Sequence, residues 1–305
     1  MLAPPARCVV LFNDMKGVIL INPYDTYYAQ RHKVERMTEE FDRLGVDVTV
    51  LRNDQFVAYV ENGKSVRSFN ADFVLFFDKD RYTSELLEKC GARVYNSAEA
   101  TAICDDKMLT HVALANNSIP MPKTLPGALC YNPNGEISDE YVTRAVELLG
   151  LPVVVKECHG SYGEQVYLAE TIAELKAKIA EIKTKAYLLQ QFESNSCGKD
   201  ARVIVIGGKY VCSMLRINER DFRSNVGLGG KGVKVELPEH VVQTCERVAN
   251  ILHLDYCGID VLLGDTPKVC EVNSNAMFEE MERVTGVNVA GKYAEFIVRN
   301  TKLHK

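Results

Sequence analysis

The sequence predicts an α/β protein whose C-terminal half turns to α+β. Three observations carry that prediction. Strand and helix patterns alternate over residues 17–95, strand patterns crowd together beyond residue 193, and an apolar hairpin, CGIDVLLGDTPKVCEVNSN, occupies 257–275. At 305 residues the chain is long enough for two or three domains, and 47% hydrophobic with 25% charged residues is ordinary for a soluble globular protein. A net charge of −5 argues against general nucleic-acid binding. No apolar run approaches the roughly 20 residues of a membrane span, and MLAPPARCVVLFNDM makes a poor signal peptide. The ten cysteines form no CxxC pair, and most lie inside apolar strands. They read as buried free thiols in a reducing cytoplasm.

Residues 17–22 (GVILIN) form a continuous apolar run suited to a strand buried on both faces. A helix follows over Thr26–Leu44, ended by Gly45. Asp47–Leu51 is a strand, Asn62-Gly63 marks a polar hairpin, Phe73–Phe77 is a strand, Arg81–Cys90 a helix and Arg93–Tyr95 a last strand. This alternation implies a small α/β domain over 1–95 with a mainly parallel sheet. No GxGxxG follows its first strand, so this domain is expected to help bind a substrate and to lack the phosphate site.

Asn96–Ile119 reads as mostly helical, Pro120 and Pro122 as a linker, 127–137 as loop, and Asp139–Leu149 as a helix ended by Gly150. Pro152–Lys156 is a buried strand closing on a lysine. The loop ECHGSYG leads into a strand at Gln165–Leu168, then a charged amphipathic helix at Thr171–Lys183 and a strand at Ala186–Phe192. A lysine at a strand end beside a glycine-bearing loop can hold a triphosphate, with Lys156 as point charge and amides near Gly160 and Gly163 covering the oxygens. The spacing is not that of a Walker A loop, and a solvated strand terminus is the plainer alternative.

Beyond residue 193, Ala201–Ile206 and Tyr210–Leu215 flank Gly207-Gly208, a two-residue hairpin turn. Arg216, Arg220 and Arg223 then cluster with Asp221, Ser224 and Asn225, and the loop bearing Gly227, Gly229, Gly230 and Gly232 reads as the most flexible segment. Pro238–Leu252 is a helix, and Glu279–Thr285 and Val289–Arg299 are closing helices. In the hairpin, Cys257–Leu263 and Lys268–Asn273 are joined by Gly264-Asp265-Thr266-Pro267. Counting outward from the turn, Leu263 faces Lys268, Leu262 faces Val269, Val261 faces Cys270 and Asp260 faces Glu271, with Asn273 on the same face. Facing carboxylates call for a cation, and such oxygen ligands suit Mg²⁺ or Mn²⁺ bound together with phosphates. A surface hairpin with scattered acids is the alternative.

The ordered set of Lys107, VVVK ending at Lys156, HGSYG, LLQQF, Asp200 with Arg202, RINERDFRSNVGLGGKG, GIDVLL, VCEVN and MERVTGVNVAG resembles the ATP-grasp superfamily over about 95–303. Within it the chain is similar to the RimK-like carboxylate–amine ligases, whose best-known member adds glutamates to a ribosomal protein. The resemblance implies an ATP-grasp fold with an N-terminal pre-ATP-grasp α/β domain (1–95), a central subdomain (96–187) and a C-terminal subdomain (188–305). It implies that Lys107 and Lys156 contact ATP phosphates beside Gly160, Ser161 and Gly163. Gln191 and Phe192 would flank the adenine, and Asp200 would bind the ribose. Arg223, Ser224 and Asn225 would reach ATP or an acyl phosphate, and Arg216 would stabilise the reacting carboxylate. Asp260, Glu271 and Asn273 would hold Mg²⁺ or Mn²⁺, two ions in all.

The implied reaction is ADP-forming ligation of a carboxylate to an amino-acid or peptide amine, with a small molecule or a protein C-terminus as acceptor. A non-catalytic ATP-binding module on the same fold is the rival, and a carboxylate kinase or carboxylase variant is a second. Relatives of this type also imply a homo-oligomer. No covalent nucleophile is required, so Cys158 and His159 are expected to be loop residues, and Arg220 could hold a substrate carboxylate, with a solvated loop arginine as the plainer reading. The chain departs from the family at Ser274-Asn275-Ala276-Met277, where a small residue followed by Pro-Gly is usual, and at Gln191, where an acid is usual.

Overall fold

The computed structural model describes residues 15–25, 28–161, 163–225, 227 and 229–303. Within it the contacts form two units, one holding the described residues up to Glu99 with Met277–Glu282 and those from Asn288 onward, the other holding Ala100–Ala276 with Arg283–Val287.

The first unit runs β1 (Lys16–Ile21), α1 (Tyr28–Arg43), β2 (Asp47–Arg52), β3 (Ala58–Glu61), β4 (Lys64–Arg67), β5 (Phe73–Phe77), α2 (Arg81–Lys89) and β6 (Val94–Tyr95). Its sheet has the order β2-β1-β5-β6, parallel throughout, with β3 and β4 as a separate hairpin. The near-continuous burial of β1 and β5 explains their unbroken apolar runs, because helices cover both faces of such a sheet. Asp80 starts α2 by accepting from the amides of Tyr82 and Thr83. The expected helix start at Thr26 and Tyr27 lies outside the described residues.

Next come α3 (Ala98–Asp105), α4 (Lys107–Leu114), β7 (Thr124–Pro126), α5 (Asp139–Leu149), β8 (Val153–Glu157), β9 (Val166–Ala169), α6 (Ile172–Ile182) and β10 (Tyr187–Gln191). The helix expected over 96–119 is broken in two because Asp106 caps α4, accepting from the amides of Met108 and Leu109 at 2.8 and 3.0 Å. Strands β7, β10, β8 and β9 form an antiparallel sheet in that order. Val153, Val155, Tyr187 and Leu189 pack one face of it against α5 and α6. By the alternation of the strands, Lys156 and Gln190 lie on the opposite face.

A second sheet follows, from β11 (Lys199–Ile206), β12 (Lys209–Ile217), β13 (Lys231–Lys234), α7 (Glu239–Ile251), β14 (Tyr256–Leu262) and β15 (Lys268–Asn273), with strand order β13-β12-β11-β14-β15. The turn at Gly207-Gly208 is as expected, with φ of 56° and 71° that glycine adopts without strain. Val203, Val205, Ile259, Val261, Val269 and Val272 turn one face of the sheet to α7 in the core. Two expectations change. Strand β12 runs on to Ile217, which puts Arg216 inside the sheet rather than in the following loop, and the glycine-rich stretch ends in an edge strand, β13. Helices α8 (Glu279–Thr285) and α9 (Val289–Leu303) close the chain. Helix α9 is part of the first unit, where the Tyr95 hydroxyl meets Thr301 Oγ1 at 3.0 Å. No described helix is long and apolar enough to cross a membrane. The described cysteines are all free thiols, several of them buried, while Cys197 is exposed.

Candidate active site

The hairpin β14–β15 decides where the acids point. Asp260 does face Glu271, as the sequence count expects, but through a different register. Leu262, not Leu263, pairs with Lys268, and Val261 pairs with Val269. Carried on unbroken, that register would set Glu271 opposite Ile259, toward the apolar core. A β-bulge at Cys270 restores the pairing, leaving Val269 and Val272 in the core and Glu271 and Asn273 on the opposite face.

That opposite face carries a chain of charge. Arg216 of β12 faces Asp200 of β11, and Arg202 of β11 faces Asp260 of β14. The Arg216 guanidinium donates from Nε to Asp200 Oδ1 at 2.7 Å and lies 2.9 Å from Asp260 Oδ2 through Nη2. Arg202 grips the other side of Asp260, with Nε and Nη2 each 2.7 Å from one oxygen. Burial alone would raise the Asp260 pKa, but Arg202 and Arg216 override it and hold the carboxyl below the usual carboxylate range. Burial works against the charge of Arg216 as well, and the two aspartates still raise its pKa. The repulsion between facing acids, which the sequence reading assigned to a cation, is thus already offset by guanidiniums. At an effective dielectric of 20, unit charges about 4 Å apart interact by about 4 kcal/mol, and the Arg–Asp contacts are shorter than that.

Two lysines complete the cluster. Lys107, at the start of α4, donates to Gly160 O at 2.9 Å and lies 3.6 Å from Glu271 Oε1. Lys156, at the end of β8, is buried, with Nζ 3.4 Å from Cys270 Sγ in the bulge. Four cations (Lys107, Lys156, Arg202, Arg216) therefore share this face with three carboxylates (Asp200, Asp260, Glu271). The net positive balance suits a polyanion.

The loops around it are tied down. Arg223 donates to Gly163 O at 2.7 Å and pairs with Asp221, joining the 219–232 segment to the loop after β8. Ser224 is buried, and Asn225 accepts from the Gly230 amide. Gln191 donates its amide to Lys123 O at 2.9 Å, and the Phe192 ring meets Phe222 edge-on at 6.4 Å. Cys158 is a buried thiol whose pKa burial, helped by Asp106, pushes up to about 12, so it is no nucleophile at neutral pH. His159 is exposed against Asp105, and Arg220 is exposed. Gly160, Ser161, Gly163, Asp200 and the Asp260/Glu271/Asn273 set all lie in the second unit with the lysines.

Sequence reasoning gave no role to Arg202 or Cys270. A charged residue alternating with Asp200 in the otherwise apolar DARVIVI was the signal for Arg202, whereas nothing in the sequence marks the bulge. Among the described residues no group of three or more His, Cys, Asp or Glu side chains is placed to hold a metal. The donor set here is two carboxylates and an amide, the oxygen type that Mg²⁺ accepts when phosphates supply the rest. Asn273 shares the face with Glu271, and its amide fits the set as an oxygen ligand, with a buried Nδ2 that no other group holds in place. A separate cavity of about 400 Å³ in the first unit lies at the carboxyl ends of β1 and β2, lined by Asn22, Asp25, Gln30, Arg31, Glu35 and Arg52 among others.

The architecture is the ATP-grasp fold. The D-alanine–D-alanine ligase of Bacillus anthracis superposes with a TM-score of 0.73 over 95% of this chain and 100% of that one, at 16% identity. The RimK-like ATP-grasp domain model matches residues 104–297, and the chain belongs to that family. It is 36% identical over 225 residues to the beta-citrylglutamate synthase B of Danio rerio, covering 72% of this chain and 54% of the relative. It is also 36% identical over 224 residues to a probable alpha-L-glutamate ligase of Psychromonas ingrahamii, covering 70% of each. The chain spans about half the length of most of the synthases it matches.

Proposed function

We propose that the chain is an ATP-dependent, ADP-forming ligase that joins a carboxylate to an amino-acid or peptide amine through an acyl phosphate. The observation that carries this reading is the gathering of Lys107, Lys156, Arg216, Asp260 and Glu271 on one side of the second unit. Lys107 and Lys156 hold the phosphates, with the amides of Gly160, Ser161 and Gly163 over them. Gln191 and Phe192 flank the adenine. Because the Gln191 amide already bonds Lys123, its recognition of the base falls to its other groups. Asp200, matched by family to the ribose, has both oxygens on Arg216, so its part here is to orient that guanidinium. Ser224 and Asn225 line the floor, and Arg223 latches the two loops.

A carboxylate oxygen attacks the terminal phosphorus of ATP in line, and the bond to the bridging oxygen breaks to release ADP. The amine then attacks the acyl carbon. Arg216 stabilises the oxyanion, and the carbon–oxygen bond breaks so that phosphate leaves with the electron pair as the nitrogen gives up a proton. Mg²⁺ or Mn²⁺, one or two ions at Asp260, Glu271 and Asn273, would neutralise charge on the transferring phosphoryl group. Glutamate recurs in the names of the synthases and ligases among the relatives, which makes L-glutamate the first amine to test and leaves citrate-like acids, acylated amino acids and protein C-termini as carboxylates. A coupled ADP-release assay across amine–carboxylate pairs tests this. ADP formation that needs both partners is expected. ATP binding with no turnover on any pair would favour a non-catalytic nucleotide-binding module.

A further inference from the structure

We propose that Arg202 is a positioning residue that, with Arg216, clamps Asp260 so that a divalent cation is accepted only together with nucleotide phosphates and not alone. This rests on the reading of the β14–β15 hairpin as the floor of a nucleotide site. The geometry of Arg202 is fixed by the sheet, since Arg202 and Asp260 are direct cross-strand partners in β11 and β14. Its side-on grip places one N–H on each carboxylate oxygen at 2.7 Å, and Arg216 adds a third contact at 2.9 Å. A carboxylate offers about four lone-pair positions, so roughly one remains for a metal. Both side chains are well shielded, at 15% and 5% exposure, so water does little to screen the pair.

The surrounding charges point the same way. Around Asp260 and Glu271 stand Arg202, Arg216, Lys107 and Lys156, and among the described residues Asp200 joins them on the acidic side, itself bonded to Arg216. A bare dication entering here would meet four cations and three carboxylates, two of which are already gripped by guanidinium groups. A nucleotide polyphosphate reverses that balance, because Lys107 and Lys156 then have anionic oxygens to hold and the cation becomes the counter-charge. Glu271, less buried and held among the described residues by the longer Lys107 contact alone, and the oxygen of the Asn273 amide are the donors left to complete the ion's shell. Arg202 thereby couples two ligands without touching either substrate. Removing its charge should expose Asp260 to free metal.

The test uses the full chain and Mn²⁺ as the probe, with free Mn²⁺ read by electron paramagnetic resonance and with no turnover involved. Wild type is expected to take up no stoichiometric Mn²⁺ alone below about a millimolar, and to bind at least 10-fold tighter once a non-hydrolysable ATP analogue is present, after subtraction of the Mn²⁺ that the analogue binds in protein-free solution. Arg202→Met and Arg202→Gln are expected to gain measurable Mn²⁺ binding without nucleotide, while Arg202→Lys, which keeps the charge, continues to exclude it. Either of two results overturns the proposal: wild type binding Mn²⁺ equally well with and without the analogue, or neutral variants that exclude free Mn²⁺ as wild type does. Arg202→Lys, which keeps the ion pair with Asp260, is the folded control where one neutral variant fails to fold, and the wild-type result alone can still overturn the proposal. A wild type that binds no analogue at all instead sinks the nucleotide-site reading, and this inference with it.

Discussion

At the scale of single residues, the candidate site is a set of side chains whose charges depend on one another. Glu271 is the least constrained of the acids, with its side chain 29% exposed and Lys107 3.6 Å away. Glu271→Gln is therefore expected to lower turnover at least about 100-fold while changing stability by less than about 1 kcal/mol. Steady-state ADP release and a denaturant melt on the same sample check the two halves. His111 gives a pH prediction. It is buried beside Gln190 and Met121, and burial, with the nearby Lys156 charge adding to it, lowers its pKa to about 4. The unfolded chain then binds the proton that the folded chain refuses. Its stabilising contribution is full above pH 6.5 and falls as the pH drops from about 6.5 to about 4, by roughly 3 kcal/mol at most. Comparing unfolding free energies of wild type and His111→Asn across that window should show the slope reduced in the variant. An equal slope would mean that other groups carry it.

At the scale of elements, the β14–β15 hairpin shows what was legible and what was not. The acids, the turn residues and the alternation of CGIDVLL could all be read, so the Asp260–Glu271 pairing was expected. The bulge at Cys270 could not, because it depends on where the turn ends and on Val269 and Val272 both packing under α7. Likewise Arg216 looked like a loop arginine because Ile217 and Asn218 are followed by charge, and only pairing with Asp200 and β13 extends the strand around it. The edge strand itself was hidden by its glycines. Close packing also fixes Gly258, where a Cβ would come within 2.6 Å of Ala276 Cβ in the segment that departs from the family pattern. The Tyr256 hydroxyl donates to Ala276 O at 2.9 Å and pins that segment from the same strand. Gly258→Ala is expected to cost about 1–3 kcal/mol, measured by chemical denaturation. A cost near zero would mean that Ser274–Ala276 is free to move.

At the scale of the whole molecule, strand and helix alternation was enough to read a mainly parallel sheet at the N-terminal end, and turn residues were enough to read two hairpins beyond residue 193; the structure has both. What alternation does not say is which sheet a late helix covers. The pattern of 289–303 marks an amphipathic helix, and its place in the first unit is a long-range fact with no local signature. The site could be read in outline because its lysines and acids end or interrupt apolar strands. The guanidinium clamp on Asp260 was missed because it exists only once β11 and β14 lie side by side. The most direct test of the ligase reading follows the oxygen. With ¹⁸O in the substrate carboxylate, ATP, Mg²⁺ and L-glutamate, an acyl-phosphate route puts one ¹⁸O into the released phosphate for each amide formed. ADP release with unlabelled phosphate, or labelled phosphate with no amide, would contradict it.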